Sequence, residues 1–340
     1  MTVGVALCGY GYWGVNLARN LVESPATDLA MIIDPVEGLR DRAAASHPAV
    51  TIAANLHEAL ADDRVEAVVI ATPAALHEEM ALSCLDAGRH VMVEKPLALT
   101  PEGAERIVRA GADAGRVVMV GHTFLYSAPV QRLREIVDDG ELGRVQYLYS
   151  QRLSLGRIRR DCNALWNFAP HDLSIMLYLL QERPEEVSAT GFRFIGEVED
   201  VSFASLTFPS GIGANLHVSW IDPRKTRLMT VVGDQKMVIY NDVSVDQKLW
   251  VVDAGVARNA DLGTYESMGE FQWRTRAGDI HIPRIAMQEP LLAEMTEFGE
   301  ACRTGRPPRT DGAQGVDVVR VLTAIDESSA RRGAPVKIEW

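Results

Sequence analysis

The sequence is short of cysteine, of basic residues and of long apolar runs, and each shortage excludes a class of protein. Its four cysteines (Cys8, Cys84, Cys162, Cys302) lack the CxxC or Cys/His spacing of a zinc site or disulfide framework, so no metal is expected. Acidic residues outnumber basic ones by 46 to 34, and the net charge of −12 disfavours nucleic acid and anionic membranes as partners. No apolar run reaches the roughly 18 residues that span a bilayer.

What the sequence contains is the balance of a folded protein. Hydrophobic residues make up 47% and charged residues 24% of its 340 positions, which excludes disorder and predicts two domains. No basic leader precedes the first apolar run, so we expect a cytoplasmic protein in a reducing compartment. A small molecule is the expected ligand.

Residues 1–123 alternate short apolar runs with helical patterns, which is typical of βα units around a parallel sheet. We predict an α/β fold with a doubly wound Rossmann sheet. The predicted strands are residues 3–8, 29–33, 50–53, 67–71, 90–93 and 117–120. The predicted helices are 13–23, 55–61, 74–87 and 101–114, with a less defined one at 35–46.

Residues 124–340 predict a second, substrate-binding α/β domain with a large open, mostly antiparallel sheet. Helical patterns lie at 129–138, 170–181, 289–303 and 313–330, strand-like segments fill 186–252, and a last strand lies at 336–339. Residues 253–283 give no pattern. Within the strand-like segments, one strand has an apolar face formed by Ala214, Leu216, Val218 and Trp220. We expect this face to support self-association into a dimer or tetramer.

Three glycines directly after the first strand form a GxGxxG turn at Gly9, Gly11 and Gly14. In a dinucleotide-binding unit these positions give the tight turn, the close approach of the pyrophosphate, and close packing of helix on strand. Asp34 ends the second strand about 20 residues later, the distance expected of a carboxylate that binds the adenosine ribose. A carboxylate there repels a 2′-phosphate, so NAD is favoured over NADP; a tight turn without a ligand is the alternative.

The fifth predicted strand ends in Glu94, Lys95 and Pro96, at the sheet edge where open α/β folds bind ligands. Partial desolvation beside a nicotinamide would lower the pKa of Lys95 and let it exchange a proton. A cis peptide bond at Pro96 would aim the lysine side chain into the cleft. The alternative is a strand-end lysine in water.

The sequence resembles the glucose-fructose oxidoreductase and inositol dehydrogenase family (Gfo/Idh/MocA). The resemblance rests on GYGYWG at 9–14, ATPAALH at 71–77, VEKPLALT at 93–100, VMVGHTFLYSAP at 118–129 and LWNFAPHDLSI at 165–175. It implies hydride transfer between NAD(P) and a carbohydrate-like substrate, with Lys95 as the active-site lysine. The implied cofactor-binding residues are Gly9, Tyr10, Gly11, Tyr12, Trp13, Gly14, Asp34, Thr72, Pro73, His77, Glu94, Lys95, Pro96 and His122. For His77 and His122, a structural hydrogen bond is the alternative.

The family's second catalytic element is a histidine that often follows an aspartate by four residues. The resemblance assigns this histidine to His171, but Asn167 stands at the aspartate position and can only orient or hydrogen-bond. Pro170 and Asp172 predict a helix start here, whose dipole would lower the pKa of His171 and make it a competent base. We expect His171 and Lys95, from separate domains, to meet at the reactive carbon of a bound nicotinamide.

A cluster of arginines just before this segment suggests an anionic group on the substrate: Arg152, Arg157, Arg159 and Arg160. A solvated loop or an intersubunit salt-bridge strip is the alternative. Trp166 is a candidate for stacking on a sugar ring, and for it, as for Lys225 and Arg227, a structural or interfacial role is the alternative. The expected substrate-binding residues are Arg152, Trp166, Asn167 and His171, and Lys225 and Arg227 are further candidates for the same cleft.

Together these features predict an NAD-dependent dehydrogenase. Its expected reaction is oxidation of a secondary hydroxyl, at ring carbon 3, of a hexose, nucleotide sugar, aminoglycoside or cyclitol. A keto-sugar reductase running the reverse reaction is one alternative. A non-catalytic NAD-bound sensor or transcriptional co-regulator is an alternative from another class.

Overall fold

The computed structural model describes residues 2–156, 158–159, 162–258 and 273–340. The chain divides into two compact units, Met1–Ser127 with Gln288–Thr323, and Ala128–Met287 with Ala324–Trp340. The first unit therefore extends four residues beyond the predicted boundary at 123. It also takes up residues 288–323, which the sequence analysis had placed in the second domain, because the helix in this stretch packs its apolar side onto the first unit's core.

The elements of the first part of the chain alternate between strand and helix. They are β1 Val3–Cys8, α1 Gly14–Glu23, β2 Thr27–Ile33, α2 Glu37–Ser46, β3 Thr51–Ala53, α3 Leu56–Leu60, β4 Ala67–Ile70, α4 His77–Asp86, β5 His90–Glu94, α5 Pro101–Asp113 and β6 Val118–Gly121. All six predicted strands and the five helical patterns are present, with ends that differ by at most three residues.

The rest of the chain is richer in strands. Its elements are α6 Ala128–Asp138, β7 Val145–Leu153, α7 Ala164–Leu180, β8 Glu186–Phe192, β9 Val201–Thr207, β10 Gly213–Ser219, β11 Thr226–Gly233, β12 Met237–Asn241, β13 Leu249–Val252, β14 Gly255–Arg258, β15 Trp273–Arg276, β16 Ile280–His281, α8 Pro290–Thr304, α9 Gly312–Ala330 and β17 Val336–Lys337. The unassigned stretch 253–283 thus includes three short strands, and its residues 259–272 lie outside the described part.

The first sheet has the order β3-β2-β1-β4-β5-β6, with every pair parallel. This is the doubly wound order of a Rossmann fold, which confirms the predicted class. Helices cover both faces of such a sheet, so its strands are mostly apolar, and β1 and β4 are buried along their whole length. The strand order reverses between β1 and β4, which places the ligand crevice of this fold at their carboxyl ends.

The second sheet has the order β16-β13-β12-β11-β7-β10-β9-β8-β17 among the described residues. Its pairs are antiparallel except for β7 with β10, which confirms the predicted mixed sheet. The apolar face of β10 is buried inside the unit beneath α7: Leu216 and Val218 are fully buried. The prediction that this apolar face supports self-association is therefore wrong, because the face is covered within the unit. The opposite face exposes Tyr147, Tyr149 and Phe203.

Helix α7 begins at Ala164, six residues before the start predicted at residue 170. Asn163 caps it, with its side-chain oxygen accepting from the backbone N–H of Trp166 at 3.0 Å. Pro170 lies inside the helix rather than at its beginning. A proline suits a first turn because it lacks an N–H, which made the later start the more natural prediction.

None of the four cysteines forms a disulfide within the described residues, and Cys8, Cys84 and Cys302 are buried. Among the helices of the described ranges, none is long and apolar enough to cross a membrane.

Candidate active site

The glycine turn after β1 needs its glycines for different reasons. Gly9 has φ +98°, and a Cβ there would lie 2.6 Å from the carbonyl oxygen of Ala71. A Cβ on Gly14 would lie 2.0 Å from the carbonyl oxygen of Gly9, so helix and turn could not approach this closely. A Cβ on Gly11 would meet no described atom within 4 Å. Gly9 and Gly14 are therefore required by the fold, whereas Gly11 leaves open space beside the turn.

Asp34 joins the end of β2 to this turn. Its carboxylate accepts from the backbone N–H of Tyr10 at 2.8 Å and of Val36 at 2.9 Å, and the residue is buried. Tyr10 contributes its backbone amide here, because its side chain is fully buried in the core with its ring edge-on to His47. Sequence reasoning missed Arg40, which donates to the carbonyl oxygens of Asp34 and Pro35 at 3.0 and 2.8 Å. Because Arg40 follows Asp34 by six residues, no pattern of adjacent residues predicts this contact.

The start of α1 fits the diphosphate of a dinucleotide. Trp13 occupies the N-cap position without a side-chain capping hydrogen bond, and the first turn, described in full, carries no acidic residue. The first N–H groups of a helix have no partner within the helix, and its dipole favours an anion. Together with the space beside Gly11 and the carboxylate of Asp34, this turn can hold the diphosphate and ribose of NAD. Tyr12 and Trp13 are both exposed beside it.

Glu94, the last residue of β5, links the glycine turn to Lys95. Its carboxylate accepts from the indole Nε1 of Trp13 at 2.6 Å and from the backbone N–H of Lys95 at 3.2 Å. A Cβ on Gly121, at the end of β6, would lie 2.9 Å from the Glu94 carboxylate, so this glycine leaves the room that the carboxylate occupies. Burial raises the pKa of Glu94.

Lys95 is half-buried at the carboxyl edge of the sheet, and its bond to Pro96 is cis, as considered from the sequence. His122 follows β6 and is 1% exposed, and neither ring nitrogen has a hydrogen-bond partner among the described residues. Burial and, second, the charge of Lys95 lower the pKa of His122 to about 3. The imidazole beside the lysine is therefore neutral at physiological pH.

One further buried carboxylate in this unit escaped sequence reasoning. Glu294 on α8 is fully buried and accepts from the hydroxyl of Thr123 at 2.7 Å. Burial, followed by the charge of Glu94, raises its pKa well above 4.5. Because 171 residues separate Glu294 from Thr123, no local spacing could have predicted the contact.

His77 connects two turns of the same sheet edge. Its Nδ1 lies 2.7 Å from the carbonyl oxygen of Pro96 and its Nε2 lies 3.0 Å from that of Thr72, while burial lowers its pKa. This arrangement favours a structural role for His77: its ring holds the Thr72–Pro73 turn against the turn that carries Lys95. The hydroxyl of Thr72 donates to the sulfur of Met80.

In the second unit, Asn167 and His171 lie on α7 and are both half-buried. Residues four apart share a helix face, so the two side chains emerge on one side of α7. Because α7 begins at Ala164, His171 is two turns into the helix. The predicted effect of a helix dipole on His171 is therefore wrong, since such an effect is confined to the first turn of a helix.

Arg152, which the sequence predicts to bind substrate, does not present its charge to solvent. Its Nε and Nη2 donate to the two carboxylate oxygens of Asp172 at 2.6 and 3.2 Å, and both side chains are 5% exposed. Of the other arginines in the predicted cluster, Arg159 is exposed, while Arg157 and Arg160 lie outside the described residues.

Trp166 is half-buried, with its indole N–H donating to the carboxylate of Asp326 on α9. This bond fixes the ring that we expected to stack on a sugar. Lys225 is exposed, and Arg227 donates to Asp242 at 3.0 Å.

Comparisons with known proteins agree with the NAD-binding class that the turn and Asp34 define. Residues 3–122 match the family described as "Oxidoreductase family, NAD-binding Rossmann fold" (GFO_IDH_MocA), and residues 130–239 match the GFO/IDH/MocA C-terminal domain. The two matches together cover more than half of the chain. The protein therefore belongs to the Gfo/Idh/MocA oxidoreductase family, and the resemblance inferred from the motifs is confirmed.

Its relatives include enzymes named for different reactions. The 2,7-anhydro-N-acetylneuraminate hydratase of Mediterraneibacter gnavus is 28% identical over 222 residues, which span 61% of this chain and 59% of that protein. The inositol 2-dehydrogenase of Mycolicibacterium gilvum is 29% identical over 276 residues, 79% of this chain and 74% of that one. The crystal structure of GenD2 from gentamicin A biosynthesis, in complex with NAD, is 26% identical with a TM-score of 0.82, covering 100% of this chain and 97% of that one.

Proposed function

We propose that this protein is an NAD-dependent dehydrogenase that oxidises a secondary hydroxyl of a hexose, nucleotide sugar, aminoglycoside or cyclitol, at ring carbon 3 where the substrate is a sugar. One observation carries the proposal. The half-buried Lys95 shares a sheet edge with the glycine turn, and Glu94 bonds to both, through Trp13 on one side and the Lys95 backbone on the other.

The roles of the residues follow from their chemistry. When bound, NAD supplies a nicotinamide ring that accepts a hydride from the substrate carbon. His171 takes the hydroxyl proton as general base, and Lys95 stabilises the negative charge that develops on the oxygen. Asn167 hydrogen-bonds to the substrate or orients it from the same helix face. The opposite assignment, with Lys95 as the proton acceptor, uses the same groups.

The surroundings of Lys95 support a chemical role over a surface charge. The charge of Lys95 adds to burial in keeping His122 neutral, and the adjacent Glu94 is a buried carboxyl with a raised pKa. Titratable groups with strongly perturbed pKa values are concentrated at functional sites.

The substrate class is supported by the names of relatives. An inositol and an anhydro-neuraminate are both rings that carry several hydroxyl groups. The alignment with the first of these relatives spans 59% of its length, so the names indicate a class of substrate and no particular compound.

Two alternatives compete with this proposal. A keto-sugar reductase would use the same residues in the reverse direction. A non-catalytic NAD-bound sensor or co-regulator would need neither Lys95 nor His171, and the presence of both argues against it.

We also propose that the protein is a homo-oligomer, a dimer or a tetramer. The support is the exposed face of the second sheet, where Tyr147, Tyr149 and Phe203 surround a groove of about 660 Å³. The ring of Phe203 stacks on that of His217 with centroids 4.2 Å apart. Light scattering tests this: Tyr149→Glu should dissociate the assembly, and a monomeric wild type would contradict the proposal.

The activity is tested by screening nucleotide sugars, free cyclitols and aminoglycosides for formation of NADH. Lys95→Ala and His171→Ala should each bind NAD normally and lose turnover by about 10²-fold or more. A wild type that reduces no NAD with any of these compounds would favour the sensor. Turnover of only the keto sugars with NADH would favour the reductase.

A further inference from the structure

Helix α7 is interrupted between the two residues that the proposed function uses. Pro170 has no N–H, so the hydrogen bond that would reach the carbonyl of Trp166 is missing. Such a gap lets a helix bend, and the two halves then need separate support to keep a fixed relation. Asn167 lies before the gap and His171 after it.

The half before Pro170 is held by its capping residue and by α9. Asn163 caps the helix, and its amide nitrogen lies 3.4 Å from Glu199 Oε2 and 3.3 Å from Asp326 Oδ1. The indole N–H of Trp166 donates to the other oxygen of Asp326.

The half after Pro170 is held from the sheet. Arg152, near the end of β7, donates two hydrogen bonds to Asp172, the residue that directly follows His171. Both side chains are almost completely buried. A two-point contact between a planar guanidinium and a carboxylate fixes orientation as well as distance. The ion pair therefore limits rotation of α7 about its axis at the turn that carries His171.

We propose that Arg152 is a positioning residue for His171, acting through its buried ion pair with Asp172. The inference rests on the proposed function, because it assigns Arg152 a part in presenting the imidazole to the substrate. It replaces the role in binding a substrate anion that the sequence suggested for this arginine.

The burial of the pair supports positioning over simple stabilisation. Removing two charges from water offsets most of their attraction, and buried ion pairs can often be replaced by apolar side chains without loss of stability. On β11, Arg227 stands directly opposite Arg152. Arg227 donates to Asp242 at 3.0 Å, so each of these two arginines has its own carboxylate partner. An apolar pair could replace the stability of the ion pair, but it would not fix the orientation of α7 at the turn that carries His171.

The test compares single and double substitutions. Arg152→Met and Asp172→Leu each leave one charge buried, and we expect both to lower the thermal midpoint. The double variant Arg152→Met/Asp172→Leu should recover the midpoint of the wild type. Its kcat should nevertheless remain reduced about 10- to 100-fold, the size of effect expected when a reacting group is misplaced by about 1 Å. NAD affinity should be unchanged, and Arg152→Lys should restore part of kcat.

Arg134→Met is the matched control. Arg134 donates to the carbonyl oxygens of Tyr178 and Leu179, at the far end of the same helix. It should lower the midpoint without lowering kcat. If the double variant recovers kcat together with its midpoint, the pair is only structural and the inference is overturned.

A readout without turnover separates this inference from the proposed function. The imidazole resonances of His171, assigned with His171→Gln, should shift in the double variant and stay in place in Arg134→Met. Full turnover in His171→Ala would remove the proposed role of the histidine while leaving these resonances as a measure of its position. Unchanged resonances in the double variant would overturn the positioning role even in an active enzyme.

Discussion

The two units hold their candidate functional residues in different ways. In the first unit, the turn that fits NAD depends on the backbone: two glycines have no room for a side chain, and Asp34 accepts from the amide of Tyr10 in that turn. In the second unit, α7 depends on side chains from distant parts of the chain, Arg152 on β7 and Asp326 on α9. A backbone requirement tolerates almost no substitution, whereas a contact between two side chains can be replaced by another contact.

The largest expected effect is at Gly14, where helix α1 closely approaches the backbone of the glycine turn. In Gly14→Ala, the new Cβ would lie 2.0 Å from the carbonyl oxygen of Gly9, and α1 would have to move away from the turn. We expect the free energy of unfolding to fall by about 3 kcal/mol or more, the upper range for overpacking. NAD binding should be lost with it. Denaturant unfolding and calorimetric titration with NAD measure the two effects.

Two other glycines of the same unit serve as controls. A Cβ on Gly38, in α2, meets no described atom within 4 Å, so Gly38→Ala should stabilise the protein by roughly 0.5–1 kcal/mol. Gly11→Ala should fold normally and bind NAD more weakly. If Gly14→Ala kept both its stability and its NAD affinity, the backbone would not be the determinant in this unit.

A smaller effect is expected at Asp34, where a side chain completes the backbone site. Asp34→Ala removes the acceptor for the Tyr10 amide and the proposed acceptor for the ribose hydroxyls. A hydrogen bond to a charged group contributes about 1.5–3 kcal/mol, so the Kd for NAD should rise by about 10- to 100-fold. Exclusion of NADP should relax, since the repelling carboxylate is gone. Titration of both cofactors against the wild type tests this, and an unchanged preference would contradict the role of Asp34.

The difference between the units also explains what the sequence could predict. The first sheet follows from short apolar runs, and the turn follows from glycine spacing within six residues, because both depend on neighbours in sequence. The start of α5, predicted at residue 101, is equally local: Thr100 caps the helix and Pro101 lies in its first turn. Such signals are read along the chain without knowledge of which segments meet.

The errors arose where distant segments meet. Arg152 was predicted to bind a substrate anion, since no local sequence pattern indicates that Asp172, 20 residues away, is its ion-pair partner. The start of α7 was misplaced because Pro170 resembles a first-turn residue, whereas Asn163 is the cap. The apolar face of β10 was read as a surface for association, although α7 covers it. To avoid each of these errors, one would have to know which distant segment packs against the residue.

The smallest expected effect concerns Glu294, the exception in the first unit, where a distant side chain brings a carboxyl into the core. Its raised pKa means that the folded protein keeps a proton that the unfolded chain releases above about pH 4.5. The resulting stability is present below that pH and is lost as pH rises toward the folded pKa, by at most about 1.4 kcal/mol for each pH unit. Glu294→Gln keeps an acceptor for Thr123 and cannot ionise, so its stability should depend less on pH.

Unfolding of both proteins between pH 5 and 8 measures this difference, with Glu300→Gln as the control. Glu300 lies on the same helix and pairs with Arg306 at the surface, where both side chains are nearly half exposed, so its loss should change stability by less than about 1 kcal/mol at any pH. Equal pH slopes for the wild type and Glu294→Gln would mean that Glu294 is ionised in the folded state. Burial would then not keep the Glu294 carboxyl protonated. Both units would contain buried charged groups, so the first unit would no longer differ in this respect from the second unit with its Arg152 and Asp172 pair.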